Sequence, residues 1–260
     1  MSKDITHWWS LKNQGKILNI LPFCDMSVSN QHLRNLKLSD KLTSFIVKAR
    51  LNLLEVNLNL ATWYPHLYTK RCHLCNQPED TVSHVLNGCP SHQSYYIDRH
   101  SRTVRHLLSQ IEKQHPTWEC LCEVPITDNR MNTEGVFIDV VCNKPDILVI
   151  DRDSDSAYII EVSHPYDAFI NICYQSKFDK YIPLCNALAS IGLHSSIIVL
   201  IISSSGLVHN RFVSGLKLVS LSRAKDIAKY LSISVMIGSR RVWKKRFDFN
   251  TIDNRLLNQP

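Results

Sequence analysis

The chain has 260 residues, of which 44% are hydrophobic and 20% charged, with a formal charge of +7; that length allows one or two domains with a real core. No apolar run reaches the roughly 18 residues of a membrane-spanning helix, and MSKDITHWWS lacks the apolar centre of a signal peptide. The expectation is a reducing compartment, where nine cysteines serve as thiols or metal ligands rather than disulfides.

Residues 1 to about 70 read as helical. In LSDKLTSFIVKARLNLLEV, apolar residues recur at Leu42, Phe45, Ile46, Ala49, Leu53 and Leu54, close to a 3.6-residue period. Ser39 or Asp40 is the candidate N-cap. Trp63, Tyr64 and Tyr68 around Pro65 end the segment, and packing is the favoured account of it. Next, RCHLCNQPEDTVSHVLNGCP supplies Cys72, Cys75, His84 and Cys89 in a C-x2-C-x8-H-x4-C spacing. Three thiolates and one imidazole are the ligand set of a closed tetrahedral zinc site. His73 and His92 compete for the imidazole position with poorer spacing.

SYYIDRHSRTVRHLLSQIEK, from Ser94 to Lys113, predicts an amphipathic helix with Tyr96, Val104, Leu107, Leu108 and Ile111 on its apolar side. Arg99 and His100 are candidate phosphate contacts there, although the charged face of a helix is usually just solvated. Pro116 ends it. WECLCEVPI (118–126) and VFIDVV (136–141) are strand candidates.

The runs ILVI and YIIEV flank DRDSDS and predict a β-hairpin. A turn centred between Asp153 and Ser154 sets Asp146 opposite Glu161. Alternation then sends Asp146, Leu148 and Ile150 to the face shared with Ile159, Glu161 and Ser163. Directly opposed side chains lie about 5 Å apart at Cβ, so two carboxylates there repel unless a divalent cation joins them. Solvated acids at strand ends are the plainer alternative. Tyr166 to Ala189 reads as a helix with Ala168, Phe169, Ile172 and Cys173 apolar, Lys177 and Lys180 one turn apart, and Pro183 kinking or ending it. SSIIVLIISS (195–204) is apolar on both faces, as in a central buried strand. From Asn210 the chain is helical again and basic: between Leu207 and Pro260, eleven Lys/Arg stand against three Asp. Within it, Arg240, Arg241, Lys244 and Lys245 are the candidate contacts to a polyanion. No Gly-rich phosphate loop occurs.

This order of motifs resembles the C-terminal region of non-LTR retrotransposon polyproteins that carry a restriction-like endonuclease. The residues that carry the resemblance are CHLCNQPEDTVSHVLNGCP, Arg99-His100 in YIDRH, KPD at Lys144–Asp146, EVSHPYD from Glu161, and KFDKY at Lys177–Tyr181. It extends from about residue 40 to 245. The resemblance implies an α/β protein with a PD-(D/E)XK restriction-endonuclease-like core, a mixed central sheet flanked by helices. A helical lead-in (1–70) and a CCHC zinc knuckle (71–92) would precede the nuclease domain (93–260) with its basic C-terminal helix.

It implies further a nuclear enzyme that nicks DNA to free a 3′-hydroxyl for reverse transcription. Its partners would be a DNA target and the element's own RNA, with no membrane and no small-molecule cofactor. Zn2+ would be structural. Asp146 and Glu161 would hold catalytic Mg2+ or Mn2+, and Lys177, with Lys180 as second choice, would be the catalytic lysine. Two departures stand out. Ser163 occupies the position where many such nucleases have lysine, and no polymerase signature of the YADD kind is present. The alternative is therefore an inactive nucleic-acid-binding remnant.

Overall fold

The computed structural model describes residues 14–34, 38–126 and 144–256, together with His7, Ser10 and Leu11. The strand candidate at 136–141 lies outside the described residues. After short helical turns come α1 (Asp40–Arg50), α2 (Asn57–Trp63) and α3 (Gln93–Gln114). Strands β1 (Glu119–Cys122), β2 (Ile147–Asp151) and β3 (Ser156–Ser163) follow. Then come α4 (Ile170–Lys180), α5 (Ile182–Ser190), β4 (His194–Ile201), α6 (Phe212–Leu218) and α7 (Ala224–Leu256). Among the described residues the result is a mixed α/β arrangement with a four-stranded sheet in the order β1-β2-β3-β4, flanked by helices. The first two pairings are antiparallel and β3–β4 is parallel.

The hairpin forms in the expected register, with Ile147 opposite Ile160 and Asp151 opposite Ser156. Its turn is held locally: Asp151 accepts the Asp153 N–H and the Ser154 hydroxyl, and Asp155 takes a positive φ of 48°. Alternation sorts the strands into two cores. Ile147, Val149, Ile160 and Val162 meet Val104, Leu107 and Ile111 of α3 and residues of α6 and α7. Leu148, Ile150 and Ile159 meet Tyr181 and, on α5, Leu184 and Leu188.

Three expectations need correction. β4 is the outer strand of the described sheet, not a central one. It is apolar on both sides because α6 and α7 cover one face while α4 and the N-terminal turns cover the other. The helix expected over 166–189 is two helices parted at Tyr181. Pro183 sits in the first turn of α5, where its missing N–H is not needed. In α4, Ile170 is the buried residue, whereas Phe169 and Ile172 are exposed.

α1 begins as expected after Ser39, although the Ser39 side chain makes no capping bond. It ends at Arg50, before Asn52 with φ 57°. Leu42, Phe45, Ile46 and Ala49 form one core with Val82, Val85 and Leu86 of the cysteine-rich segment and Met236 of α7. That segment is thus packed into the protein rather than strung beside it.

Candidate metal centre and catalytic cleft

Asp146 lies one residue before β2, and its backbone carbonyl accepts the Glu123 N–H at 2.9 Å. Its Oδ2 accepts the Val162 N–H of β3 at 2.7 Å, so the carboxylate caps the ladder where β2 begins. Its Oδ1 lies 3.2 Å from His100 Nε2 on α3. The hydrogen bond to Asp146 raises the His100 pKa, with burial opposing. Glu123 Oε1 stands 3.8 Å from the same imidazole nitrogen.

Glu161 on β3 is 3% exposed and faces the same cleft. Its Oε1 accepts from Lys177 Nζ at 2.5 Å, and Lys180 Nζ is 3.8 Å away. Burial works against the Lys177 charge, but the bond to Glu161 and its charge outweigh it and hold the Lys177 pKa above its ordinary value. Glu161 Oε2 lies 2.8 Å from the Tyr181 hydroxyl, which is also 3.0 Å from the Lys144 carbonyl; either takes its single proton. Lys180 Nζ donates to the same hydroxyl oxygen at 2.8 Å. These groups line a cleft of about 590 Å³ that also touches Ser163 and Asn87.

The structure therefore brings Asp146, Glu161, Lys177, Lys180 and His100 into one cavity. The carboxylates are not equivalent there. His100, Glu123 and Asp146 offer ligand atoms within 4.8 Å of one another. Glu161 is turned to the lysines and Tyr181. Glu123 carries no local mark in the sequence, and Tyr181 only its place closing KFDKY.

Cys72, Cys75, His84 and Cys89 bring four ligand atoms within 4.8 Å of one another, a Cys3His cluster compatible with zinc. Cys72 Sγ and Cys89 Sγ are 3.9 Å apart, and Cys75 Sγ is 3.3 Å from His84 Nε2. A tetrahedron of metal bonds about 2.0–2.3 Å long has edges of this size. Burial pushes the Cys72 thiol up to about 12 and raises Cys89, so thiolates here need a cation beside them. The competing imidazoles are engaged elsewhere: His73 with the Arg246 carbonyl at 3.1 Å, and His92 with the Val85 carbonyl at 3.3 Å. Asp80, fully buried beside the cluster, accepts from Arg246 of α7 at 2.5 Å and from the Asn57 N–H at 2.7 Å. Nothing in the sequence flagged that pair.

The basic candidates divide. Arg99 is 4% exposed in the cleft wall, its guanidinium donating to Ser239 Oγ at 2.7 Å. It reaches α7 beside Gly238, where an added Cβ would stand 3.1 Å from Arg99 Cγ. Arg99 is thus a strut between helices, not a surface contact. Arg241 and Lys244 are exposed, and Arg240 and Lys245 are half-buried.

His164, next to Ser163, is buried, with Nδ1 3.0 Å from the Ile202 carbonyl and Nε2 3.1 Å from Thr103 Oγ1. Burial holds its pKa down to about 3. The folded value lies below the unfolded one near 6.5, so this neutral histidine stabilises above about pH 6.5 and its contribution is lost as pH falls toward the folded value. His209, lowered to about 4 by burial, acts in the same direction. The urea midpoint is expected to be lower at about pH 5 than at about pH 7.5, and His164→Asn is expected to flatten that dependence.

No family model matches the chain, and no curated protein matches it.

Proposed function

We propose that this protein is a metal-dependent endonuclease of the PD-(D/E)XK kind, similar to the restriction-like nuclease of non-LTR retrotransposons, which nicks DNA in the nucleus to free a 3′-hydroxyl. One observation carries the reading: Asp146 ahead of β2, Glu161 on β3 and Lys177 on α4 converge on one open cleft. Two carboxylates are oxygen donors suited to a hard cation, and Asp146 and Glu161 would hold Mg2+ or Mn2+. When bound there, such an ion polarises a scissile phosphate and lowers the pKa of an attached water.

The protein's own groups do the rest. The Lys177 ammonium, steadied by Glu161, stands ready to orient a water or to meet the extra negative charge that develops on phosphorus. His100, bonded to Asp146, fixes the orientation of that carboxylate. Arg241 and Lys244 on the exposed face of α7 offer sequence-independent contacts to backbone phosphate. Zinc at the Cys3His cluster would be a scaffold.

The second reading is an inactive nucleic-acid-binding remnant. Ser163 stands where lysine is common, and Glu161 has both oxygens engaged by Lys177 and Tyr181, which favours this alternative. The test is Mg2+-dependent nicking of supercoiled plasmid. Lys177→Ala is expected to slow the cut by about 10²–10³, the usual worth of one positioned donor, while plasmid binding persists. A parent protein that binds DNA with steep salt dependence and never cuts with any added divalent metal decides for the remnant.

A further inference from the structure

The stretch from Thr62 to Arg71, TWYPHLYTKR, is exposed at every residue. Trp63 is 43% exposed, Tyr64 54%, Leu67 76% and Tyr68 43%, an unusual outlay of large side chains on water. The backbone holds them out in a fixed arrangement. The Tyr64 carbonyl accepts the N–H groups of Leu67 and Tyr68, and the Tyr64 N–H bonds back to Leu60 at 2.7 Å. The C-terminal end of the stretch is strapped both to the cysteine-rich segment and to α2. The Lys70 carbonyl accepts the Asp80 N–H at 2.8 Å, and Asn57 Nδ2 donates to the Arg71 carbonyl at 2.5 Å. The Tyr64 and Tyr68 rings stand 6.4 Å apart at an angle of 52°.

Along the chain, the charges interleaved with these rings are of one sign. His66, Lys70 and Arg71 are exposed among them, and from Val56 to Pro78 the chain contains no Asp or Glu. Asp80 is buried against Arg246 and presents no charge to solvent, and the acids that flank the stretch in sequence are Glu55, paired with Lys48, and the exposed Glu79. Exposed π-faces interleaved with cations suit a ligand that has free base faces and a phosphate backbone. A duplex hides its bases in the stack, whereas an unpaired strand presents them.

We propose that residues 63–71 form a platform for single-stranded nucleic acid, separate from the cleft, on which bases stack against Trp63, Tyr64 and Tyr68 while Lys70 and Arg71 meet the phosphates. The assignment stands whether or not the cleft cuts. It is tested on the full chain with a labelled oligo(dT) strand and a matched duplex. Trp63→Ala/Tyr64→Ala/Tyr68→Ala is expected to weaken oligo(dT) binding at least about tenfold, since each stacked base is worth about 1–3 kcal/mol. Duplex affinity stays within about twofold, and the Phe/Phe/Phe counterpart keeps strand binding. A photoactivatable thymidine in the strand is expected to cross-link the parent protein within this stretch, a readout that needs no variant.

Equal oligo(dT) affinity in the Ala variant and parent, or an equal loss for strand and duplex, overturns the proposal. So do cross-links confined to other elements. A parent dimer that the Ala variant turns monomeric with strand binding intact would make the patch a self-association surface instead.

Discussion

Asp146→Ala is expected to abolish Mg2+-dependent nicking of plasmid DNA while the zinc content of the protein stays that of the parent. The carboxylate it removes is one of the two that would hold the ion, and its partner Glu161 is already turned toward Lys177 and Tyr181. Among the described residues the other acid beside His100 is Glu123, half of whose side chain is in water. Asp146 also caps the Val162 N–H, so the alanine variant loses a structural bond. Asp146→Asn separates the two effects, because the amide oxygen still accepts from Val162 but carries no charge. A nicking rate in Asp146→Asn equal to that of the parent would remove Asp146 from the chemistry. A melting temperature close to the parent's, with cutting lost, would place it there.

Cys89→Ser is expected to release zinc and to lower stability far beyond the effect of an ordinary surface change. Structural zinc contributes an apparent binding energy of roughly 10–16 kcal/mol, more than the whole net stability of many domains. Here the loss spreads, because Val82, Val85 and Leu86, between the ligands, share one core with α1 and α7. Asn87, in the turn between His84 and Cys89, donates to the His164 carbonyl, one residue past Ser163, and lines the cleft. Metal content by mass spectrometry and thermal melting read the outcome together. A Cys89→Ser protein that keeps one equivalent of zinc, or that melts with the parent, would dismiss the cluster as a metal site.

The sheet and the two sites were not equally legible. The hairpin register could be read because strand side chains alternate with period two and DRDSDS is short and polar, which leaves one turn that buries both apolar runs. The Cys3His set could be read because its ligands fall within a single short stretch, and local spacing is what sequence displays. What escaped was joined over long distances: His100 to Asp146 across 46 residues, Tyr181 to Glu161 across 20, Arg246 to Asp80 across 166. No local pattern names such partners. The place of β4 was misjudged for a related reason. Apolar residues on both sides of a strand report that both faces are covered, and helices cover them as well as neighbouring strands do. Arg99 was misread because a helix drawn by itself shows its arginine to water, whereas α7 lies over it.

The tie between Arg246 and Asp80 also sets an order of events. Asp80, sealed from water, waits for its counter-charge until Arg246 of α7, 166 residues later, has been made; the same guanidinium also donates to the Glu55 carbonyl and the Asn57 side chain. Until then the early helices and the cysteine-rich segment carry an uncompensated ion that cannot be buried cheaply. Assembly of this half of the molecule therefore waits until the chain has been made as far as Arg246.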